Sequence, residues 1–266
     1  MKQVIGWTAL ALATLASPVA HAGGFTPWGT ATGDKTVVFD PYFFVDPDGT
    51  FRVSPYVWVG ATDHFDVLFG ATAAFGSGVG PAGASLGALE VMPRGIINDY
   101  AIFGFHVFWT PLDDSGNLNE SVDLALEYHG VAAYEHFAFT YNAGWAFTVG
   151  NAGFDAGGVF GVLVPEYIIN DRISAFVEVN PSVTINAGDL DGDGEDDVGW
   201  GVGVNPGVTV YLDNNGMHSL TPAALFSVAG TDTSVGFGLL YWGAFETGGK
   251  TARRRTTGSD TKLALR

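Results

Sequence analysis

The chain has 266 residues, of which 20 are Phe, 9 Tyr, 7 Trp and 38 Gly, and only 15% are charged, well under the roughly 25% of a typical soluble domain. Cysteine is absent, which excludes a disulfide framework and a thiolate metal site. A formal net charge of −17 excludes nucleic acid as a partner and favours cations.

The first 22 residues have the form of a secretory leader: Lys2, a mostly apolar run from Val4 to Leu15, then Ala20-His21-Ala22 before Gly23-Gly24. The sequence predicts export and cleavage after Ala22, since this run is too short to span a bilayer. Residues 23–34 then read as an N-terminal periplasmic segment, 35–245 as one β-rich body and 246–266 as a basic, disordered tail. Six of the eleven Lys and Arg lie in that tail. Residues 23–245 keep four (Lys35, Arg52, Arg94 and Arg172) against 26 acids, a net charge of −22.

Within the body, alternation and turn residues predict twelve strands, at 35–46, 50–61, 65–75, 84–95, 99–110, 121–130, 136–149, 156–168, 172–186, 197–212, 218–229 and 234–245. Their connections alternate in character. Thr62-Asp63-His64, Asn98-Asp99, Ala133-Tyr134-Glu135, Asn170-Asp171 and Asp213-Asn214-Asn215-Gly216 are tight. Segments 76–83, 111–120, 150–155 and 187–196 are mostly longer and rich in Gly and Asp, with 46–49 and 230–233 as short members. Parity is strict: the seventh strand sets Phe137, Phe139, Tyr141, Trp145 and Phe147 against His136, Thr140, Asn142 and Thr148. Large apolar residues backed by small and polar ones predict an antiparallel up-and-down transmembrane β-barrel with lipid outside and a polar interior. A secreted β-sandwich has the same period; long strands and export favour the barrel. VSPYVWV (53–59), VNPSVTI (179–185), VNPGVTV (204–210) and, loosely, LTPAALF (220–226) share a frame whose proline falls on the apolar parity. Because proline removes a ladder donor, these positions are expected to mark bulges or bends.

The turns GATDHFDVLFG (60–70), IINDYAIFGFHV (96–107) and IINDRISAFVEVNP (168–181) resemble the Asp-centred periplasmic turns of Gram-negative outer-membrane β-barrels. The variety they most resemble is the transporter-like barrels grouped near the phenol-degradation outer-membrane proteins. The final strand, with Phe237, Leu239, Tyr241, Gly243 and Phe245 on one parity, resembles the terminal strand read by the barrel-assembly machinery, although here 21 residues follow it. The resemblance implies an outer-membrane location, with outer-membrane lipid, lipopolysaccharide and small solutes as partners.

Two constellations carry possible chemistry. Asp189, Asp191, Asp193, Glu195 and Asp197, with Gly194 at the turn, match the first part of a Ca²⁺ loop, but Trp200 stands where a bidentate Glu would close it. The alternative is a merely solvated acidic outer loop. On the inward parity, Arg52, Arg94 and Arg172 share a face with Asp40, Asp66, Glu90, Asp123, Glu127 and Glu178. Charges in a narrow lumen need partners, so each arginine is expected to bridge acids across the barrel. That arrangement serves either to hold the barrel closed or as a cation-preferring constriction. No GxSxG and no serine in step with a histidine point to an enzyme. The sequence therefore favours a narrow passive channel, with a structural or adhesion barrel and a lipid-modifying enzyme as the other readings.

Overall fold

The computed structural model describes residues 32, 34–47, 49–76, 83–98, 101–111, 121–150, 153–185, 198–213, 217–230 and 232–246. The leader, most of 23–34, the acidic loop 189–197 and the tail beyond 246 lie outside the described residues.

Twelve strands form where alternation predicts them: β1 (Thr36–Val45), β2 (Phe51–Thr62), β3 (Phe65–Phe75), β4 (Ala84–Asn98), β5 (Ala101–Trp109), β6 (Val122–Tyr134), β7 (Phe137–Gly150), β8 (Gly153–Asn170), β9 (Ile173–Thr184), β10 (Gly199–Tyr211), β11 (His218–Ala229) and β12 (Asp232–Glu246). Each pairs antiparallel with its sequence neighbours, and β1 closes on β12 from Thr36↔Glu246 to Val45↔Phe237. Closure leaves no strand edge to be satisfied elsewhere, which is the condition for a sheet to stand in hydrocarbon.

The two faces separate by chemistry. Phe137, Phe139, Trp145 and Val149 of β7 are exposed outward, while Ala138, Asn142 and Ala146 are buried inward. On β9, Val177 and Val183 are outward against buried Ser174, Phe176, Glu178 and Asn180. A soluble sandwich would keep its large apolar side chains inside; here they cover the surface, and the buried parity carries polar groups among apolar ones such as Leu68, Met92 and Leu240.

Four strands exceed their predicted length: β4, which runs on to Asn98, β12, which spans Asp232–Glu246, and β6 and β8. β6 continues to Tyr134, so its turn is Glu135-His136, with Glu135 at φ 49°. β8 begins at Gly153 because a bulge hides its first residues from a period-2 reading. Gly157 sits at φ 59°, and a Cβ there would lie 2.2 Å from the Ala146 carbonyl oxygen. Pairing with β7 slips between Ala146 and Thr148.

The expectation that the repeated prolines mark bulges is corrected. Pro55, Pro181, Pro206 and Pro222 face outward, but the slips lie between Gly60 and Thr62, Ala71 and Ala73, Ile96 and Asn98, Ala146 and Thr148, and Ile168 and Asn170. Around Pro206 the ladder passes from Val204↔Phe226 to Gly207↔Ala223 without a shift. A missing N–H removes a bond on one side only, and the other ladder (Pro206↔Val177) holds the register.

Candidate functional site: the inner wall of the barrel

The wall is built by neighbouring strands placing inward parities side by side. Directly paired Asp66 (β3) and Arg94 (β4) form a two-point ion pair: Arg94 Nε donates to Asp66 Oδ1 at 2.8 Å and Nη2 to Oδ2 at 2.7 Å. Arg94 is 1% exposed and Asp66 0%. The guanidinium also stacks 4.0 Å from the Trp58 ring centroid. Ahead of β1, the Thr32 backbone N–H donates to Asp66 Oδ2 at 2.9 Å, so the segment entering the barrel is tied to this pair. Charge-assisted, bidentate bonds of this kind are the strong ones in a desolvated site.

A second chain of polar side chains runs around the wall at the next level. Tyr56 (β2) donates its hydroxyl to Glu90 Oε1 (β4) at 3.0 Å. It reaches past β3 because Gly70 intervenes: a Cβ there would meet the Tyr56 ring at 2.3 Å. Glu90 Oε2 lies 3.3 Å from His106 Nε2 (β5), whose Nδ1 lies 2.9 Å from Glu127 Oε1 (β6). Glu127 Oε2 accepts from Asn142 Nδ2 (β7) at 3.0 Å and lies 3.2 Å from His129 Nε2. Gly104 makes the room here; a Cβ on it would meet Met92 Sδ at 2.9 Å and His129 Nε2 at 3.2 Å. All these polar groups are buried.

The wall from β8 to β12 carries less charge. Ser174 and Tyr211 donate to Glu166 Oε1, the latter at 3.4 Å, and Thr221 donates to Thr209 at 3.2 Å. Glu178 Oε1 accepts from the side-chain amides of Asn180 and Asn205. The inward aromatics Phe44, Tyr56, Trp58, Phe108, Phe176 and Trp242 are all buried. Two of them lie over inward glycines, Tyr56 over Gly70 and Phe176 over Gly207, and the half-buried Phe160 covers Gly144.

The structure brings together Asp66, Arg94, Glu90 and Glu127 of the predicted set and disperses the rest. Arg52 pairs with Asp46 at the loop end of β1, beside its own hairpin, not across the lumen. Asp40 is buried and accepts from the Tyr42 hydroxyl at 3.2 Å. Asp123 accepts from Thr148 at 2.6 Å nearer the loop end. Arg172 is corrected outright: it is exposed in the β8–β9 turn, where its side chain reaches the Tyr211 carbonyl at 3.4 Å. The turn geometry claims that position before strand parity begins at Ile173. Cross-barrel bridging is corrected as well, because the recorded ion pairs run between adjacent strands or within one hairpin. Parity put His129, Asn142 and Asn180 on the inner face, but the expected site set left them out, together with His106 and Asn205. The available signal was the odd-numbered run Asp123, Glu127, His129 on one face of β6. The predicted Ca²⁺ ligands Asp189 to Asp197 lie outside the described residues.

No sequence-family model matches the chain, and no curated protein does. Among solved structures it is similar to an outer-membrane channel from Pseudomonas putida F1, with TM-score 0.55, 16% identity, and 83% of this chain covering 99% of that one. It also matches, at TM-score 0.44 and 11% identity, the β-domain of the Bordetella autotransporter BrkA, 80% of this chain covering 100% of that one. In-vitro folded OmpT of Vibrio cholerae matches at TM-score 0.42 and 8% identity, with coverages of 80% and 98%. The first of these carries the comparison: the chain has the fold of outer-membrane β-barrel proteins.

Proposed function

We propose that the protein is an outer-membrane barrel whose lumen passes small solutes, with a mild preference for cations, and that it is not an enzyme. The observation that carries this reading is the placement of residues: an apolar exterior around an inner wall in which carboxylates, imidazoles, amides and hydroxyls are set among apolar side chains. Buried polar side chains are costly in a structural core that could be apolar, and a solute path gives them a use. The cation preference follows from Asp40, Asp66, Glu90, Glu127 and Glu178 on the wall against the single buried arginine among the described residues, Arg94. The recorded partners of His64, His106, His129 and His218 are a backbone carbonyl, carboxylates and a tyrosine, which supports positioning roles over nucleophile activation.

A structural barrel acting through its outer loops is the second reading. It is favoured by the depth of burial of the same wall, since His106 and Glu178 are both 0% exposed. Single-channel recording of the purified barrel in planar bilayers separates the two. Discrete conductance steps with a reversal potential displaced toward the cation are expected; silence in high salt, from protein whose gel migration shifts on heating, refutes the channel.

A further inference from the structure

We propose that Glu178 is a cation-binding subsite in the lumen, the place where an ammonium group of a solute is held in transit. The proposal rests on the reading of the barrel as a solute path, and it follows from how the two halves of the wall differ.

From β2 to β7, the three central carboxylates meet an arginine or a histidine within the wall. Asp66 has Arg94, Glu90 has Tyr56 and His106, and Glu127 has His106, His129 and Asn142, while on β1 Asp40 accepts from Tyr42 at Oδ2. Glu178, on β9, meets neither an arginine nor a histidine among the described residues, only two amides. It is 0% exposed, and both amides that reach it, from Asn180 and Asn205 (2.8 Å), donate to the same oxygen, Oε1. Oε2 is buried and has no partner among the described residues. A carboxyl oxygen taken out of water without a donor is expensive. The amides also orient the group, because two donors on Oε1 fix the plane and leave the lone pairs of Oε2 free for a third donor.

The surroundings favour a small occupant. Along β10, directly paired with β9, Asn205 stands between the inward glycines Gly203 and Gly207, so no Cβ from those two positions occupies the space beside the carboxyl. On β12, Gly236 and Gly238 are likewise buried inward. The ring of Phe176 lies over Gly207, and its rotation is the movement that would widen access. An ammonium ion, similar in size to water and carrying four N–H donors, fits this chemistry. A tetramethylammonium ion has the same charge, no donor and a larger radius, and does not.

The test uses the full barrel folded in detergent. Calorimetric titration with ammonium chloride is expected to give saturable heat that tetramethylammonium chloride at equal ionic strength does not give. Glu178→Gln keeps the shape of the side chain and should abolish the ammonium heat while preserving heat-modifiable migration. Should that variant fail to fold, Asn205→Leu on the same notch should weaken ammonium binding at least tenfold. Absence of ammonium heat in the wild type, or heat unchanged in Glu178→Gln, overturns the subsite. Conductance is recorded separately on the same preparations. Binding without conductance overturns the solute path alone, and conductance without ammonium binding overturns Glu178 alone.

Discussion

Replacing Arg94 by Met tests whether the buried ion pair at the turn end of the wall stabilises the barrel through its partner. Arg94 and Asp66 are 1% and 0% exposed, so solvent screening is slight. Removing the guanidinium leaves the Asp66 carboxylate with the Thr32 N–H as its remaining recorded donor. Breaking one side of a buried pair costs about 3–5 kcal/mol, a factor of roughly 150 to 5,000 in the unfolding constant. Asp66→Leu should cost less, because Arg94 keeps the face of Trp58 at 4.0 Å, and a desolvated cation–π contact contributes about 2 kcal/mol. The double variant removes both charges and should lie within about 1–2 kcal/mol of the wild type, as hydrophobic replacement of a whole buried pair is often neutral. Urea unfolding and refolding in lipid vesicles, followed by tryptophan fluorescence, measures all four corners of the cycle. If both single variants cost under about 1 kcal/mol, or if the double cost equals their sum, the pair is not coupled and the reasoning fails.

Two further predictions concern the backbone and the outer face. Gly157→Ala places a Cβ 2.2 Å from the Ala146 carbonyl oxygen at a φ of 59°, so it should destabilise by about 1–3 kcal/mol, the range for strained backbone. The same urea assay checks it, and a neutral result would remove the β8 bulge as a glycine requirement. Leu163→Arg, near the middle of β8 on the outward face, should cost about 2–4 kcal/mol in lipid vesicles, whereas Ile169→Arg, one residue from the end of that strand, should cost about 0–1 kcal/mol. Equal costs at the two positions would mean that the exposed apolar parity does not face hydrocarbon.

The strands were legible in the sequence because one period runs unbroken through each of them, and the exceptions are instructive. β8 was read three residues late because Gly157 inserts an extra residue that flips the parity before it. Pairing partners were legible only where the turn fixes register. The two-residue turn Glu135-His136 sets Tyr134↔Phe137, and from there the ladder carries His129 opposite Asn142 and Glu127 opposite Gly144. His106 meets Glu127 across β5 and β6, whose connection is long, so no counting from a turn places them together. Asp66 opposite Arg94 is hidden twice, by the long β3–β4 connection and by the slip between Ala71 and Ala73. Parity could list the charges on the inner face but could not say which met which.

That distinction changes what the charges do. Arginines bridging acids across the lumen would make the polar wall a lock, and each opening would break buried ion pairs at about 3–5 kcal/mol apiece. The recorded pairs instead run around the circumference: Arg94 to Asp66 on β4 and β3, His106 to Glu127 on β5 and β6, Asn142 to Glu127 on β7 and β6. Pairs between hydrogen-bonded neighbours move with the wall that carries them. A path along the axis can then widen by turning inward side chains such as Phe176, which lies over Gly207, or Phe160, which lies over Gly144. Neither motion breaks an ion pair. A wall whose charges are satisfied sideways is compatible with a passage, and in such a wall Glu178, held by two amides on a single oxygen, is where the proposed cation would sit.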